Sequence, residues 1–259
     1  MTDMTWRTSI AEVTTDDVII RGERLSDLVG SVTYSEMAFL LIRGDRPHEA
    51  ERAMLDAILV TLADHGISPS SIVARTLASC GTPVQASLSG AMLSIADWHG
   101  GTGEEVGSIL STILAAAHDE DPTRVALACD EFVAARRAQK QQLPGFGHPQ
   151  HTEGDPRAIQ LLTLAEKLGV AGAYCRTLAV LGEALGNATG RAPLRRANVT
   201  GALAAILLDL GFHWRSIRGI VIAARSLGLT AHIVEELEQG NRWRHVPADQ
   251  VEYTGARPR

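Results

Sequence analysis

Lysine is nearly missing from this chain. Of 24 basic side chains in 259 residues only two are lysines, Lys140 and Lys167, and the other 22 are arginines. Neither lysine follows a Gly-rich turn, which excludes a P-loop, and both lie in ordinary charged surroundings, which argues against Schiff-base or pyridoxal chemistry. Aromatic residues make up only 4% of the chain. The three cysteines, Cys80, Cys129 and Cys175, are far apart and lack CxxC spacing. They read as small buried thiols of a reducing compartment. There is no long basic run, and 30 acidic residues bring the formal charge to -6, so a general nucleic-acid binder is excluded. Apolar runs such as 201–208 fall short of the roughly 20 residues of a membrane span. The first ten residues carry no charged-then-apolar leader, and a cytoplasmic location is expected.

What is present is enough for a sizeable core. The chain is 45% hydrophobic, and its length suits one domain or two joined ones. Strand-like sequence is confined to the first thirty residues, where Thr8–Val13 and Val18–Arg21 flank Thr14-Thr15-Asp16-Asp17 and predict a hairpin. Beyond it the apolar period is helical. Helices are predicted over Tyr34–Arg43 behind a Thr33 cap, Pro47–His65, Ser70–Ser79, Val84–Trp98, Glu104–His118 and Pro122–Gln141. Five more follow at Pro156–Leu168, Ala171–Leu185, Asn198–Leu210, Trp214–Leu227 and Thr230–Gln239. The fold class is therefore all-α with a short N-terminal β-hairpin. Gly/Pro clusters separate the helices. The helix from Pro83 to Trp98 is rich in small residues, which fits a bundle centre or a subunit interface. The segment from Gly240 loses periodicity and reads as an extended tail.

Four loops set polar groups against apolar helices. They are Asp64-His65-Gly66 with Ser70 and Arg75, Asp97-Trp98-His99-Gly100-Gly101, Gly145-Phe146-Gly147-His148 with His151 and Asp155-Pro156-Arg157, and Arg225-Ser226-Leu227-Gly228 with His232. An imidazole donates a hydrogen bond to a carbonyl or carries a proton near neutral pH. Arg157 and Arg225 offer bidentate geometry to carboxylates. Glycines beside His99 and His148 let a ligand approach the backbone. Taken singly, a histidine beside glycine reads as a cap or turn residue. His148 and His151 form an HxxH pair without a third ligand, so no metal is expected. His48, His118, His213 and His245 read as surface or capping residues, and Arg136-Arg137 as a solvated helix face.

In this order and spacing the four loops resemble the citrate synthase superfamily, and within it the short citryl-CoA lyase-like members, from about Trp6 to Gly255. The resemblance implies an all-α homodimer with a large helical domain, a smaller mobile one and a site in the cleft between them. On that basis the chain divides into a hairpin segment 1–30, a first large-domain part 31–140, a small domain 141–225 and a C-terminal large-domain part 226–259. The resemblance implies an acyl-CoA thioester and a keto or hydroxy acid as substrates. It makes His99 the stabiliser of the thioester enol, an oxyanion-type role, and His148 the group that polarises the acceptor ketone. His65 contacts the same acid, and Arg157 and Arg225 hold its carboxylates. Leu143, Pro144, Gly145, Phe146 and Gly147 wrap the adenine of coenzyme A.

The pattern departs from the family in three places. The family's catalytic aspartate stands in an Asn-Val-Asp motif, and the matching segment here is Asn198-Val199-Thr200-Gly201. A threonine hydroxyl is not a useful proton acceptor near neutral pH, and general-base catalysis is worth about 10²–10⁴-fold. Ordinary citrate synthase activity is therefore expected to be weak or absent. Pro149 stands where many relatives have arginine after the loop histidine. Arg244-His245-Val246-Pro247 loosely matches the terminal Arg-Pro element, which makes Arg244 the candidate for a carboxylate-binding arginine reaching across a dimer. Carbon–carbon bond formation or cleavage on a CoA thioester is the leading expectation. Another reaction on an acyl thioester, such as decarboxylative condensation or hydrolysis, and a non-catalytic homologue are the alternatives.

Overall fold

A computed structural model of the protein describes residues 5–118, 120–148, 151 and 153–258. Pro149, one of the three family departures, lies outside the described residues. The chain opens with strands β1 (Ala11–Val13), β2 (Val18–Ile20) and β3 (Glu23–Arg24), which form an antiparallel sheet in sequence order. The register pairs Glu12 with Ile19 and Ile20 with Glu23. The expected hairpin thus gains a third strand, two residues long and too short to leave a period in the sequence.

Eleven α-helices follow among the described residues: α1 (Leu25–Leu28), α2 (Tyr34–Ile42), α3 (Glu49–Ala63), α4 (Pro69–Ser79), α5 (Val84–Leu93), α6 (Thr102–Ala117), α7 (Pro122–Ala138), α8 (Pro156–Leu168), α9 (Ala173–Thr189), α10 (Val199–Asp209) and α11 (Ile217–Glu238). Their starts have local causes. Thr33 and Glu36 close a reciprocal capping box on α2. Asp121, Asp155 and Asn198 accept backbone N–H groups at the starts of α7, α8 and α10, and Pro122 and Pro156 stand at first helical positions where no N–H is needed.

Several boundaries differ from expectation. α5 ends at Leu93 rather than Trp98, and α7 at Ala138 rather than Gln141. The two helices expected around Gly228 are one, α11, preceded by a 3-10 turn at Trp214–Ser216. Gly228 does not break the helix. A Cβ there would collide with the Ala63 carbonyl and come within 3.0 Å of an Asp64 carboxylate oxygen, so the glycine lets α11 lie against the end of α3. Because it is continuous, the helical run 214–238 is long and apolar enough to cross a membrane by length and composition alone, contrary to the reading of short apolar runs. A buried helix of a folded domain meets the same test, and Arg225, His232 and Glu236 hold their polar atoms in protein hydrogen bonds along it.

The chain divides into two compact units. Unit 1 holds residues 1–61 and 100–221, and unit 2 holds 62–99 and 222–259. This is a different division from the 31–140, 141–225 and 226–259 segments implied by the family's large and small domains. In unit 1, α10 is the central helix. Its residues Ala202–Leu207 are at most 2% exposed and apolar on every face, and α6, α8 and α9 pack around it. Each Leu or Ile so buried contributes about 1.5–3 kcal/mol. The Phe39 ring meets Phe212 at 4.7 Å, and Arg43 lies over Phe39 while donating to the Leu210 carbonyl at 3.0 Å. In unit 2, α4 packs on α5. The tail from Gly240 is largely exposed, with one 3-10 turn at Ala248–Gln250.

The cysteines separate by environment. Cys129 is buried, and burial pushes its thiol up to about 12. Cys80 is exposed, not the core thiol expected. Arg136 and Arg137 do not form a purely solvated face either. Arg136 donates to Glu105 at 2.9 Å, and Arg137 donates to the Ala188 carbonyl.

Candidate active site

The residues singled out from the sequence fall into two sets, one in each unit. In unit 2, the turn after α3 carries Asp64, His65 and Gly66, and the bend before α6 carries His99. Asp64 Oδ2 accepts the Gly66 N–H at 2.8 Å, which closes an Asx-type turn under His65. Gly66 takes φ of +65°, the left-handed conformation that such a turn favours in glycine. His99 Nε2 lies 2.9 Å from the hydroxyl of Ser70, which is fully buried in the first turn of α4. Burial, then the charge of Arg225, then His65 hold the His99 imidazole below its ordinary value. His99 is therefore a neutral ring at pH 7, suited to donating a hydrogen bond without giving up a proton. Arg225 donates from Nε to the Leu62 carbonyl at 2.8 Å, which anchors its guanidinium at the end of α3. Unit 2 thus brings His65, His99 and Arg225 into one electrostatic neighbourhood.

Arg244, the fourth unit 2 candidate, is held within its own chain. Its Nε pairs with the fully buried Glu236, and its backbone N–H donates to Ser79 Oγ at 3.0 Å.

In unit 1, the loop Leu143–His148 crosses the start of α10. The Gly145 carbonyl accepts the Asn198 N–H at 2.9 Å, the Gly147 N–H donates to the Arg196 carbonyl at 3.0 Å, and Phe146 bridges Ala197. Asn198 does two jobs. Its carbonyl oxygen accepts the Thr200 and Gly201 N–H groups, capping α10, while its amide donates to the Gly147 carbonyl at 3.0 Å. The crossing is so close that a Cβ on Gly201 would strike the Gly145 carbonyl. Gly145 has φ of +91°, and a Cβ there would lie 2.9 Å from Val106. The loop and the Asn-Val-Thr-Gly segment are therefore one built piece. Phe146 is buried within it, with the Leu143, Pro144 and His148 backbone leading in and out. The His148 and His151 rings lie tilted at 31° with their centroids 4.5 Å apart.

Asp155 is the hub of this half. It is 1% exposed and accepts from the Arg157 backbone N–H at 3.1 Å, from Arg157 Nε and Nη2 at 3.0 and 2.9 Å, and from the Val199 N–H at 2.9 Å. Burial pushes its carboxyl up, but the Arg157 and Val199 hydrogen bonds and the Arg157 charge outweigh that and hold it at about 2. Asp155 is therefore a weak base, although it accepts the N–H of Val199, the residue before Thr200. It fixes Arg157 with the guanidinium fork turned onto its own carboxylate. Thr200 is half-buried on the second turn-forming position of α10. The structural roles of Asp155, Ser70 and Asn198 were not singled out from sequence. The Asp-Pro and Asn-x-x-Gly cap signals were there to find for two of them, while nothing local marks Ser70 as a partner of His99.

Among the described residues no group of three His, Cys, Asp or Glu side chains is arranged to hold a metal ion.

Each unit thus carries its own polar set on helix ends, the His99 imidazole and Arg225 in unit 2 and the capped glycine loop with Arg157 in unit 1. A family model for the citrate synthase C-terminal domain matches residues 45–246, and the chain belongs to the citrate synthase family. It is similar to the solved structure of citryl-CoA lyase from Hydrogenobacter thermophilus, with TM-score 0.88 and 32% identity over 99% of this chain and 97% of that one. The structure of ATP citrate lyase from Methanothrix soehngenii, solved with citrate and coenzyme A, shares the fold at TM-score 0.80 and 19% identity, over 99% of this chain and 43% of that one. The 2-methylcitrate synthase of Mycobacterium tuberculosis is 26% identical over 78% of this chain and 49% of its own. The chain spans about half the length of that curated relative. The expected all-α, citrate synthase-like fold is thus the observed one.

Proposed function

We propose that the protein makes or breaks a carbon–carbon bond on a coenzyme A thioester, in the manner of a citryl-CoA lyase. The similarity to a citryl-CoA lyase along 97% of that chain carries this reading. In the cleavage direction the bond between the acetyl methylene and the carbinol carbon of citryl-CoA breaks. The carbinol hydroxyl loses its proton and becomes the ketone of oxaloacetate, and the electron pair passes to the thioester as an enolate, which takes a proton to give acetyl-CoA. His99 is the group that meets the thioester oxygen. The role requires the tautomer in which Ser70 Oγ donates to Nε2 and the ring proton on Nδ1 faces the enolate oxygen, where a fixed donor in a dry site acts most strongly. His148 stands at the hydroxyl that becomes the ketone. His65, Arg157 and Arg225 hold the acid, and Leu143–Gly147 receives the adenine. A homodimer, with Arg244 near the acid, belongs to the same reading.

Thr200 bears on how fast the enolate forms from acetyl-CoA. Condensation from acetyl-CoA needs a base at the methyl carbon, and neither the Thr200 hydroxyl nor the saturated carboxylate of Asp155 serves. Cleavage needs a base for the carbinol proton, the role given to His148, and a proton returned to the enolate carbon, which water can supply. Steady-state condensation of acetyl-CoA with oxaloacetate tests this. The wild-type rate is expected to be negligible, and Thr200→Asp is expected to raise it by about 10²-fold or more. A wild-type rate typical of citrate synthases would remove Thr200 from this account. The alternative of a different acyl thioester reaction is favoured by no observation beyond that same threonine.

A further inference from the structure

Unit 2 contains a chain of polar side chains of which the proposed function uses only Arg244. It begins at the tail. Arg244 Nε pairs with Glu236 Oε1, and Arg75 Nη1 donates to Glu236 Oε2 at 2.8 Å. Glu236 is fully buried, and the Arg75 guanidinium also pairs with Glu235. Arg75 Nε then donates to His232 Nδ1 at 3.1 Å, and His232 Nε2 lies 3.1 Å from Asp64 Oδ1. The other Asp64 oxygen takes the Gly66 N–H and closes the turn that carries His65.

This sequence of bonds has one consistent proton pattern. A guanidinium only donates, so His232 Nδ1 is an acceptor and carries no proton. The ring proton is then on Nε2 and is donated to Asp64. A doubly protonated His232 would set Nδ1–H against the Arg75 N–H and one positive charge against another. The arginine therefore selects the tautomer of His232, and through it the orientation of the Asp64 carboxylate. Gly228 supports the same contact, since α11 reaches Asp64 only because residue 228 has no Cβ. A buried carboxylate is costly to desolvate, and apolar side chains often replace buried ion pairs without loss of stability. What such a pair adds here is a fixed geometry at the far end of the chain of bonds.

We propose that Glu236, Arg75 and His232 are positioning residues that set the His65 turn through Asp64, with Arg244 holding the tail side of Glu236. The inference rests on the reading of His65 as a contact to the acid substrate.

The test compares His232→Leu, which removes both polar edges, with His232→Gln, whose carbonyl accepts from Arg75 and whose amide donates to Asp64. His65→Ala is measured beside them, all as the full chain with citryl-CoA. His232→Leu is expected to lose about 100-fold in kcat/KM, the scale of a displacement of about 1 Å at a reacting group, with KM raised. His232→Gln is expected to recover most of the loss. Wild-type kcat/KM in His232→Leu, with His65→Ala impaired, overturns the positioning role. Wild-type kcat/KM in His65→Ala instead overturns the reading of His65. Crystal structures of the two His232 variants then decide the positioning role without activity: His65 is expected displaced in the leucine variant and in place in the glutamine variant. An unmoved His65 in His232→Leu overturns it. Should His232→Leu fail to fold, Glu236→Gln, which keeps shape and loses charge, is expected to show the same displacement, and its absence counts against the proposal equally.

Discussion

Asp155 takes hydrogen bonds from the Arg157 and Val199 backbones and from two nitrogens of the Arg157 guanidinium, and so ties the start of α8 to the start of α10. Its carboxyl is held at about 2 against an ordinary value of 3.8. A carboxylate with a depressed folded value adds stability that is fully present above its unfolded value. That stability is lost as pH falls through the folded one. The Asp155 contribution, about 2 kcal/mol, is thus intact at pH 5 and disappears between about pH 4 and pH 2. Asp155→Asn is expected to cost about 2–3 kcal/mol at neutral pH, because Arg157 loses its charged partner. Urea unfolding of wild type and variant checks this: the gap should be present at pH 6 and close towards pH 2.5. A gap that does not change with pH would mean that packing, and not charge, sets the role of Asp155. Residue types of this kind are partly legible in sequence. The Asp-Pro pair announces a helix start, but the second partner, Val199, is 44 positions away and leaves no local mark.

At the scale of elements, helices with strong caps were readable: Thr33, Asp121, Asp155 and Asn198 each mark an observed start. The failures came where a tertiary contact decided the role of a residue. Gly228 looks like a break and is instead a point of close approach between α11 and the Ala63–Asp64 backbone. The distinction is measurable. By helix propensity alone, Gly228→Ala would stabilise an uninterrupted helix by about 1 kcal/mol. By the close approach it should destabilise by about 1–3 kcal/mol, since the added methyl meets a backbone carbonyl that cannot give way cheaply. Thermal unfolding of Gly228→Ala reads the sign directly, and a higher melting temperature would contradict the packing described for unit 2. The candidate site follows the same rule. Its chemistry-bearing residues were visible as loop motifs, whereas the groups that hold them, Ser70 behind His99 and Glu236 behind Arg75, lie on helix faces where the sequence pattern is the ordinary one.

For the whole molecule, the arginine bias of the composition resolves into distinct uses. Arg157 and Arg225 are anchored, one on the Asp155 carboxylate and one on the Leu62 carbonyl. Arg75 and Arg244 instead bracket a buried carboxylate. With lysine absent from every motif, histidine is the proton-handling side chain of the proposed chemistry, and that proposal puts Thr200 in the place of the condensation base. The account therefore turns on one reaction. Purified protein given citryl-CoA should release acetyl-CoA and oxaloacetate in equal amounts, followed by coupling oxaloacetate to the oxidation of a reduced nicotinamide through malate dehydrogenase. His99→Ala should abolish that release, with a loss of about 10²-fold or more. Intact citryl-CoA after prolonged incubation with folded wild-type protein, or release that is indifferent to His99, would contradict it.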